Sequence, residues 1–293
     1  MRQERFDTPG QVELVVDNKL GDVRLRSHPG ATTEVELRGH GAQGDEIVER
    51  ARVEHQTSGA NDRVVVEVPH QSGWLWRGGS SVAVTVRLPE GALADLETVS
   101  GTVSAEGRLG AATVRTTSGD ISLATVDGDL VSRTTSGDIT VGPVTGDADI
   151  STTSGFVRCG AVGRGVQVKT ASGDVVVGSA GLRFIADTTS GDVTVDELAD
   201  GCEVKTTSGD LRVRRLVAGK AELKTISGDV IVGIARGTAV MIDAESLSGS
   251  LSSEIELYPD EPGPGAADES EGPRAELRAR SISGDVRIQR APA

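Results

Sequence analysis

Aromatic side chains make up 2% of this 293-residue chain, with two Trp, one Tyr and three Phe, so its core cannot be built around stacked rings. Cysteine is nearly absent too: Cys159 and Cys202 match no CxxC or metal-ligand spacing and read as small core residues rather than a disulfide. No stretch approaches the ~20 apolar residues of a membrane helix, which argues against direct membrane insertion. Positive charge is in deficit, with 30 Lys and Arg against 44 Asp and Glu and a formal net charge of -14. Nucleic acid and anionic surfaces would be repelled on approach, so neither is expected as a partner. The opening MRQERFDTPGQ has no apolar signal region, which points to a cytoplasmic protein.

What the chain has is glycine, 38 residues of it, and aliphatic side chains within a composition that is 37% hydrophobic. Ser-Gly recurs at Ser100, Ser118, Ser136, Ser154, Ser172, Ser190 and Ser208 with a constant step of 18, then at Ser227, Ser248 and Ser283 with looser steps. The fullest form is TTSGD followed by an aliphatic residue, as in Thr116 to Ile121. Four residues before the Ser stand Val114, Ile150, Val168, Val204 and Leu223. Three after it stand Ile121, Ile139, Val157, Val175, Val193, Leu211 and Val230, and five after it Leu123, Val141, Cys159, Val177, Val195, Val213 and Val232. Apolar and polar positions alternate on both sides of a Gly-containing corner, which is strand periodicity. A second Gly, such as Gly128 or Gly146, marks the opposite corner. One repeat therefore supplies two short strands and two corners, and each strand must pair with its equivalent in the next repeat. The fold predicted is an all-β parallel β-solenoid, a single-stranded β-helix with 18-residue rungs.

Residues 1–92 contain strand-like runs at Val12–Val16, Val23–Leu25, Val35–Leu37, Val64–Val68 and Val82–Leu88 without the regular period, and read as an irregular β-rich N-terminal cap. Within it, Leu20-Gly21-Asp22-Val23 looks like a worn copy of the repeat, and Asp45–Ala51 has the acidic first turn of a short helix. Residues 93–290 are the repeats, broken at about 258–274 by an acidic, Pro- and Gly-rich segment expected to be a mobile insertion. A final rung over Ala275–Ile288 should close the solenoid.

These features together, the Ser-Gly-Asp rungs, the irregular β N-terminus and the SVAVTVRLPEGA approach over Ser81–Ala92, resemble the Toast-rack, or putative adhesin, family of bacterial β-strand repeat proteins. The resemblance covers nearly the whole chain. It implies a non-enzymatic protein, and a place near cell-envelope stress signalling.

The candidate sites each have a structural reading beside the functional one. The column Asp120, Asp138, Asp174, Asp192, Asp210, Asp229 and Asp285 could line up along one edge and bind cations, but Asp in a Gly corner is explained by local hydrogen bonding. No metal or cofactor is expected. Three before each Ser runs a basic column, Arg115, Arg133, Lys169, Lys205, Lys224 and Arg280, which reads as a solvated face rather than a stripe for an acidic partner. The threonines two before the Ser, from Thr116 to Thr225, are expected to stack as a ladder of hydroxyls bonding one another. Trp74, Trp76 and Arg77 sit between Gly73 and Gly78 and form the candidate interaction site, either as a binding hot spot or as a plug over the first rung. Gly39 to Gly44 matches GxGxxG, yet Asp45 and Glu46 stand where a pyrophosphate needs positive potential. His28, His40, His55 and His70 show no metal-ligand spacing.

The functional expectation is a non-catalytic scaffold that binds protein partners. Its rivals are a glycan-binding or glycan-acting β-helix, which would need exposed acids and aromatics on one face, and a self-polymerising scaffold pairing end to end through its last rung beside Ala291-Pro292-Ala293.

Overall fold

The computed structural model describes residues 1–69, 79–255 and 272–292. Two compact units are present, Met1–Gly160 and Ala161–Ala293, and each is a pair of facing β-sheets joined by corners. The fold is the β-solenoid that the repeat predicts.

In the first unit the strands Leu93–Ser100, Ala112–Arg115, Leu130–Arg133 and Ala148–Ser154 follow one another in parallel along one sheet. Val103–Leu109, Ile121–Val126, Ile139–Val141 and Val157–Val162 do so in the other. The register is the repeat itself: Ile121 lies beside Ile139 and Ile139 beside Val157. Every second residue points inward, so a rung buries Ala112, Val114, Ile121, Leu123 and Val126, each at most 3% exposed. A buried aliphatic of this size contributes about 1.5–3 kcal/mol, but only when a neighbouring rung covers it, which is why single repeats cannot fold alone.

The start of the chain joins this pattern out of order. Gln11–Leu20 and Val23–His28 form a rung beside Leu93–Ser100 and Val103–Leu109, with Gly21-Asp22 at the corner as the sequence suggested. Outside it lie Asn61–Val68 and Ser81–Pro89, also parallel. Three antiparallel strands then finish the unit: Arg52–Ser58 on one sheet, and Thr32–His40 followed by Arg2–Asp7 on the other. The helix Gly44–Arg50, with Asp45 and Glu46 in its first turn, lays Val48, 2% exposed, against these strands.

The second unit repeats the construction. One sheet runs Val166–Ser172, Phe184–Ser190, Cys202–Lys205 and Gly219–Ser227; the other runs Val175–Ala180, Val193–Leu198, Leu211–Leu216 and Val230–Ile234. The next rung in space is the last in sequence, Arg274–Ser283 with Val286–Arg290. Ala239–Ser246 and Leu251–Ser253 pair with its far side. The expected final rung is therefore present, but it is inserted between its two predecessors rather than added to them. Periodicity reports what a rung contains and is silent on the order in which rungs stack.

Candidate interaction surface

The Ser-Gly-Asp corner is the most repeated feature of the chain, and the structure assigns each letter a task. The serines pair in parallel from Ser100 to Ser118, Ser136 and Ser154 in the first unit. The glycines sit where their backbones nearly touch: a Cβ on Gly137, whose φ is 154°, would lie 2.2 Å from the carbonyl oxygen of Gly119. Both the conformation and the contact require Gly. The aspartates form an inter-rung ladder in which each carboxylate accepts the backbone N–H of its counterpart one rung on. Asp138 N donates to Asp120 at 2.9 Å and Phe156 N to Asp138 at 2.8 Å. In the second unit the ladder passes from Asp174 through Asp192, Asp210, Asp229 and Asp285 to Ser250, with every bond 2.8–2.9 Å. The opposite corner uses the same device where Asp147 N donates to Asp129 at 2.9 Å. An acceptor already engaged with backbone and spaced one per rung is a structural clamp. No group of three or more His, Cys, Asp or Glu positioned to hold a metal occurs among the described residues.

The threonine column departs from expectation. Thr116, Thr134, Thr152, Thr170, Thr188, Thr206 and Thr225 are buried, but their hydroxyls do not bond one another. The corner glycine carbonyl of the preceding rung lies beside the column and takes the hydroxyl instead, from Thr134 to Gly119 at 3.5 Å and from Thr225 to Gly209 at 3.3 Å. At Thr116, Thr152, Thr170, Thr188 and Thr206 the hydroxyl is buried with no partner.

Five members of the basic column are paired. Arg115 meets Asp95 at 3.2 Å, Arg133 meets Asp149 at 3.0 Å, Lys205 meets Glu203 at 2.6 Å, Lys224 meets Glu222, and Arg280 meets Glu245 at 3.7 Å. These are exposed pairs, each contributing about 0–1 kcal/mol, and their effect is to leave no continuous positive stripe. Cys159 and Cys202 are free and buried, and desolvation pushes both thiols up to about 12, so they stay protonated. Gly39 to Gly44 is the link between a strand and the short helix, where a Cβ on Gly39 would lie 2.2 Å from the backbone of Gly44. Close packing, not a phosphate, accounts for these glycines.

Among the described residues, His55 is the histidine bound to a buried carboxylate. Its Nε2 lies 2.9 Å from Asp62 Oδ1, and Asp62 also accepts from Gly10 N at 3.0 Å and from Thr57 Oγ1 at 3.0 Å. Those bonds, the Gly10 backbone first and the His55 ring second, hold Asp62 below the usual carboxylate range. At 2% exposure Asp62 is closed to a substrate, and the cluster ties an edge strand to the chain behind it.

Trp74, Trp76 and Arg77, together with Tyr258, lie outside the described residues. The surface feature that the sequence reading passed over is a stripe in the outward column immediately before the Ser. Rungs with the full motif place Thr117, Thr135, Thr153, Thr189 and Thr207 there; the last three rungs place Ile226, Ile282 and Leu247, exposed by 50%, 48% and 77%. They are consecutive in space, since Ser227 pairs with Ser283 and Leu247 N bonds to Ser281 O. They line an open groove of about 430 Å³ with Thr225 and Ser281, flanked by Lys224 and Arg280. The signal was available in the sequence as the replacement of TTSG by TISG, SISG and SLSG.

A corner so specific in its glycines and aspartates can be compared with known families directly. A family profile described as Toastrack DUF4097 matches residues 12–289. The chain belongs to that family. No curated protein matches it. Similar solved structures include a putative cell adhesion protein from Clostridium sporogenes, at 9% identity with 99% of each chain covered and a TM-score of 0.26. A putative adhesin from Bacteroides fragilis matches at 11% identity, covering 98% of this chain and 96% of its own, with a TM-score of 0.31. A putative lipid binding protein from Parabacteroides distasonis matches at 13% identity, covering 99% and 96%, with a TM-score of 0.36. Within the Toastrack family, this chain is a β-solenoid whose repeated motif builds the scaffold.

Proposed function

We propose that this Toastrack protein is a non-catalytic scaffold that binds a partner protein through the stripe Ile226, Ile282 and Leu247. One observation carries the reading: a column that holds Thr in five full-motif rungs carries large aliphatics in three consecutive stacked rungs, where side chains about half or more exposed add little to folding. The paired Lys224 and Arg280 along the groove give the polar rim that interfaces use to fix register. The non-catalytic reading is supported by the use of the repeated acids as backbone acceptors. Family membership supports an adhesin-like role, and the proposal extends to a cytoplasmic partner connected with envelope stress.

The test restores the column's own residue. A triple variant, Ile226→Thr, Ile282→Thr and Leu247→Thr, is compared with wild type in affinity purification from the native host. Loss of specific partners with an unchanged melting temperature is expected. Retention of the same partners at the same yield sinks the stripe, and a parallel Trp74→Ala, Trp76→Ala variant shows whether the earlier candidate carries the contact instead. Fractionation of the host cell tests the compartment.

A further inference from the structure

The two units end their sheets in opposite ways. In the first unit the edge strand Arg2–Asp7 turns Arg2, Glu4 and Phe6 toward the covered side; Arg2 pairs with Glu4 and also donates to Ala51 O. Inward charge on an edge strand is a device that prevents another chain from adding to it. The other edge strand of that unit, Arg52–Ser58, turns the polar His55 inward, where it is held by Asp62. In the second unit the edge strand Ala239–Ser246 turns Val240, Ile242 and Ala244 inward, in register with Ala275, Leu277 and Ala279 of the rung behind. It contains no Pro, Lys or Arg, and its outward Met241 is 66% exposed. One side of its backbone is paired with Arg274–Ser283, and among the described residues no strand follows it on the other in the sheet order.

We infer that this edge is the self-association surface of the protein, and that a second copy of the chain adds to it antiparallel about a two-fold axis through Ile242. The register follows from side-chain parity. Residues directly opposite in an antiparallel pair share a face of the sheet, so a two-fold centred on a residue keeps inward side chains inward. With the axis at Ile242, Ile242 faces its own copy, Val240 faces Ala244 and Met241 faces Asp243. Glu245 comes opposite Ala239, whose neighbour on the next strand is Arg274, outward on the same face, so an acid of one copy approaches a base of the other. Within its own copy Glu245 lies 3.7 Å from Arg280 and Asp243 3.8 Å from Arg278, so Glu245 would be shared between Arg280 and the other copy's Arg274. An isologous contact of this kind closes after two copies. The first unit's edges turn Arg2, Glu4 and His55 inward, and the second unit's other sheet ends on Leu251–Ser253, three residues long, so among the described residues there is no second apolar edge of this length from which to build a filament. This surface is distinct from the Ile226, Ile282 and Leu247 stripe and does not depend on it.

Eight residues from each copy make a small interface, so association should depend on concentration. Sedimentation of the full chain over a concentration series is expected to show mass rising from one chain to two and stopping there. Ile242→Lys, which gives this edge the inward charge of Arg2, should abolish the rise while leaving the melting temperature unchanged. The register is tested by mild oxidation of two cysteine variants, for which the buried native thiols give little background. Ile242→Cys should form a disulfide-linked dimer because facing residues lie ~4.5–5.5 Å apart, and Met241→Cys should not, because its copies are offset by two residues. Four results overturn the proposal: a monomer at all concentrations, a series of ever larger species, a dimer that survives Ile242→Lys, or cross-linking through residue 241 instead of 242. A chain that becomes dimeric only when residues 256–271 are deleted also overturns it, since the chain's own segment would then be the occupant.

Discussion

Ser132 interrupts the apolar column four residues before the repeat's Ser, and the structure gives its replacement a definite sign. It is 0% exposed, paired in register between Val114 and Ile150, which are themselves 0% exposed, and its hydroxyl has no hydrogen-bond partner. An unsatisfied buried hydroxyl costs about 1–3 kcal/mol. Removing it as Ser132→Ala recovers much of that cost. Ser132→Val also adds buried methyl surface worth about 0.8 kcal/mol per methyl, reduced by any local misfit, in a column whose other members are apolar, with Val114 and Ile150 as its direct neighbours. The expected gain for Ser132→Val is about 1–3 kcal/mol, and each kcal/mol raises the melting temperature of a unit this size by roughly 2–4 °C. Thermal unfolding followed by circular dichroism measures it. The reverse exchange one rung back, Val114→Ser, should lower stability by about 2–4 kcal/mol because it loses packing as well as creating the same orphan. If Ser132→Ala and Ser132→Val both lower the melting temperature, the hydroxyl is satisfied after all and the column's tolerance for apolar side chains has been misjudged.

The corner makes further predictions. Gly191→Ala, where a Cβ would lie 2.3 Å from the carbonyl oxygen of Gly173 at a φ of 136°, should prevent the rung from stacking and lower yield of folded protein. Gly59→Ala, at a φ of 63° with open space around it, should cost only about 1 kcal/mol in a denaturant titration. Thr102 stands at an Asp position of the ladder, so Thr102→Asp should supply an acceptor for the Asp120 N–H and raise the urea midpoint by the equivalent of about 0.5–1.5 kcal/mol. Asp285 is held below the usual carboxylate range by the Ser250 backbone N–H. A depressed folded-state value means stabilisation that is present above the unfolded carboxylate range and lost as pH falls through the folded value. The protection of the Ser250 amide, its exchange rate relative to the intrinsic rate at the same pH, should therefore fall in acid, and an Asp285→Ala variant should show low protection already at neutral pH with no further loss in acid.

Most of the scaffold was legible because it is local and repeated. The residues Ile121, Ile139 and Val157 announce their stacking by recurring every 18 positions, and Gly21-Asp22 could be recognised as a corner from three letters of the motif. The order of rungs was not legible, since nothing in Arg274–Ser283 says that it slots between Gly219–Ser227 and Ala239–Ser246. The antiparallel strands near the N-terminus were visible as apolar runs, but their direction depends on connections that periodicity does not encode. The basic column looked like a feature in isolation because some of the carboxylates that neutralise it, such as Asp95 for Arg115 and Asp149 for Arg133, lie about one rung away. The stripe at Ile226, Ile282 and Leu247 was missed for the opposite reason: attention to what the repeat conserves hides the positions where it changes.

The inserted rung has a consequence for how the chain is made. During synthesis Ala239–Ser253 leaves the ribosome before Arg274–Arg290, yet the later segment is the template against which the earlier one must align. Winding that proceeds from the N-terminus therefore pauses after Ile234 and finishes only when the last few residues are available. A stop codon that removes residues 272–293 would delete one rung and leave a second, Ala239–Ser253, unplaced, so the C-terminal segment acts as a keystone and not as a trailing end.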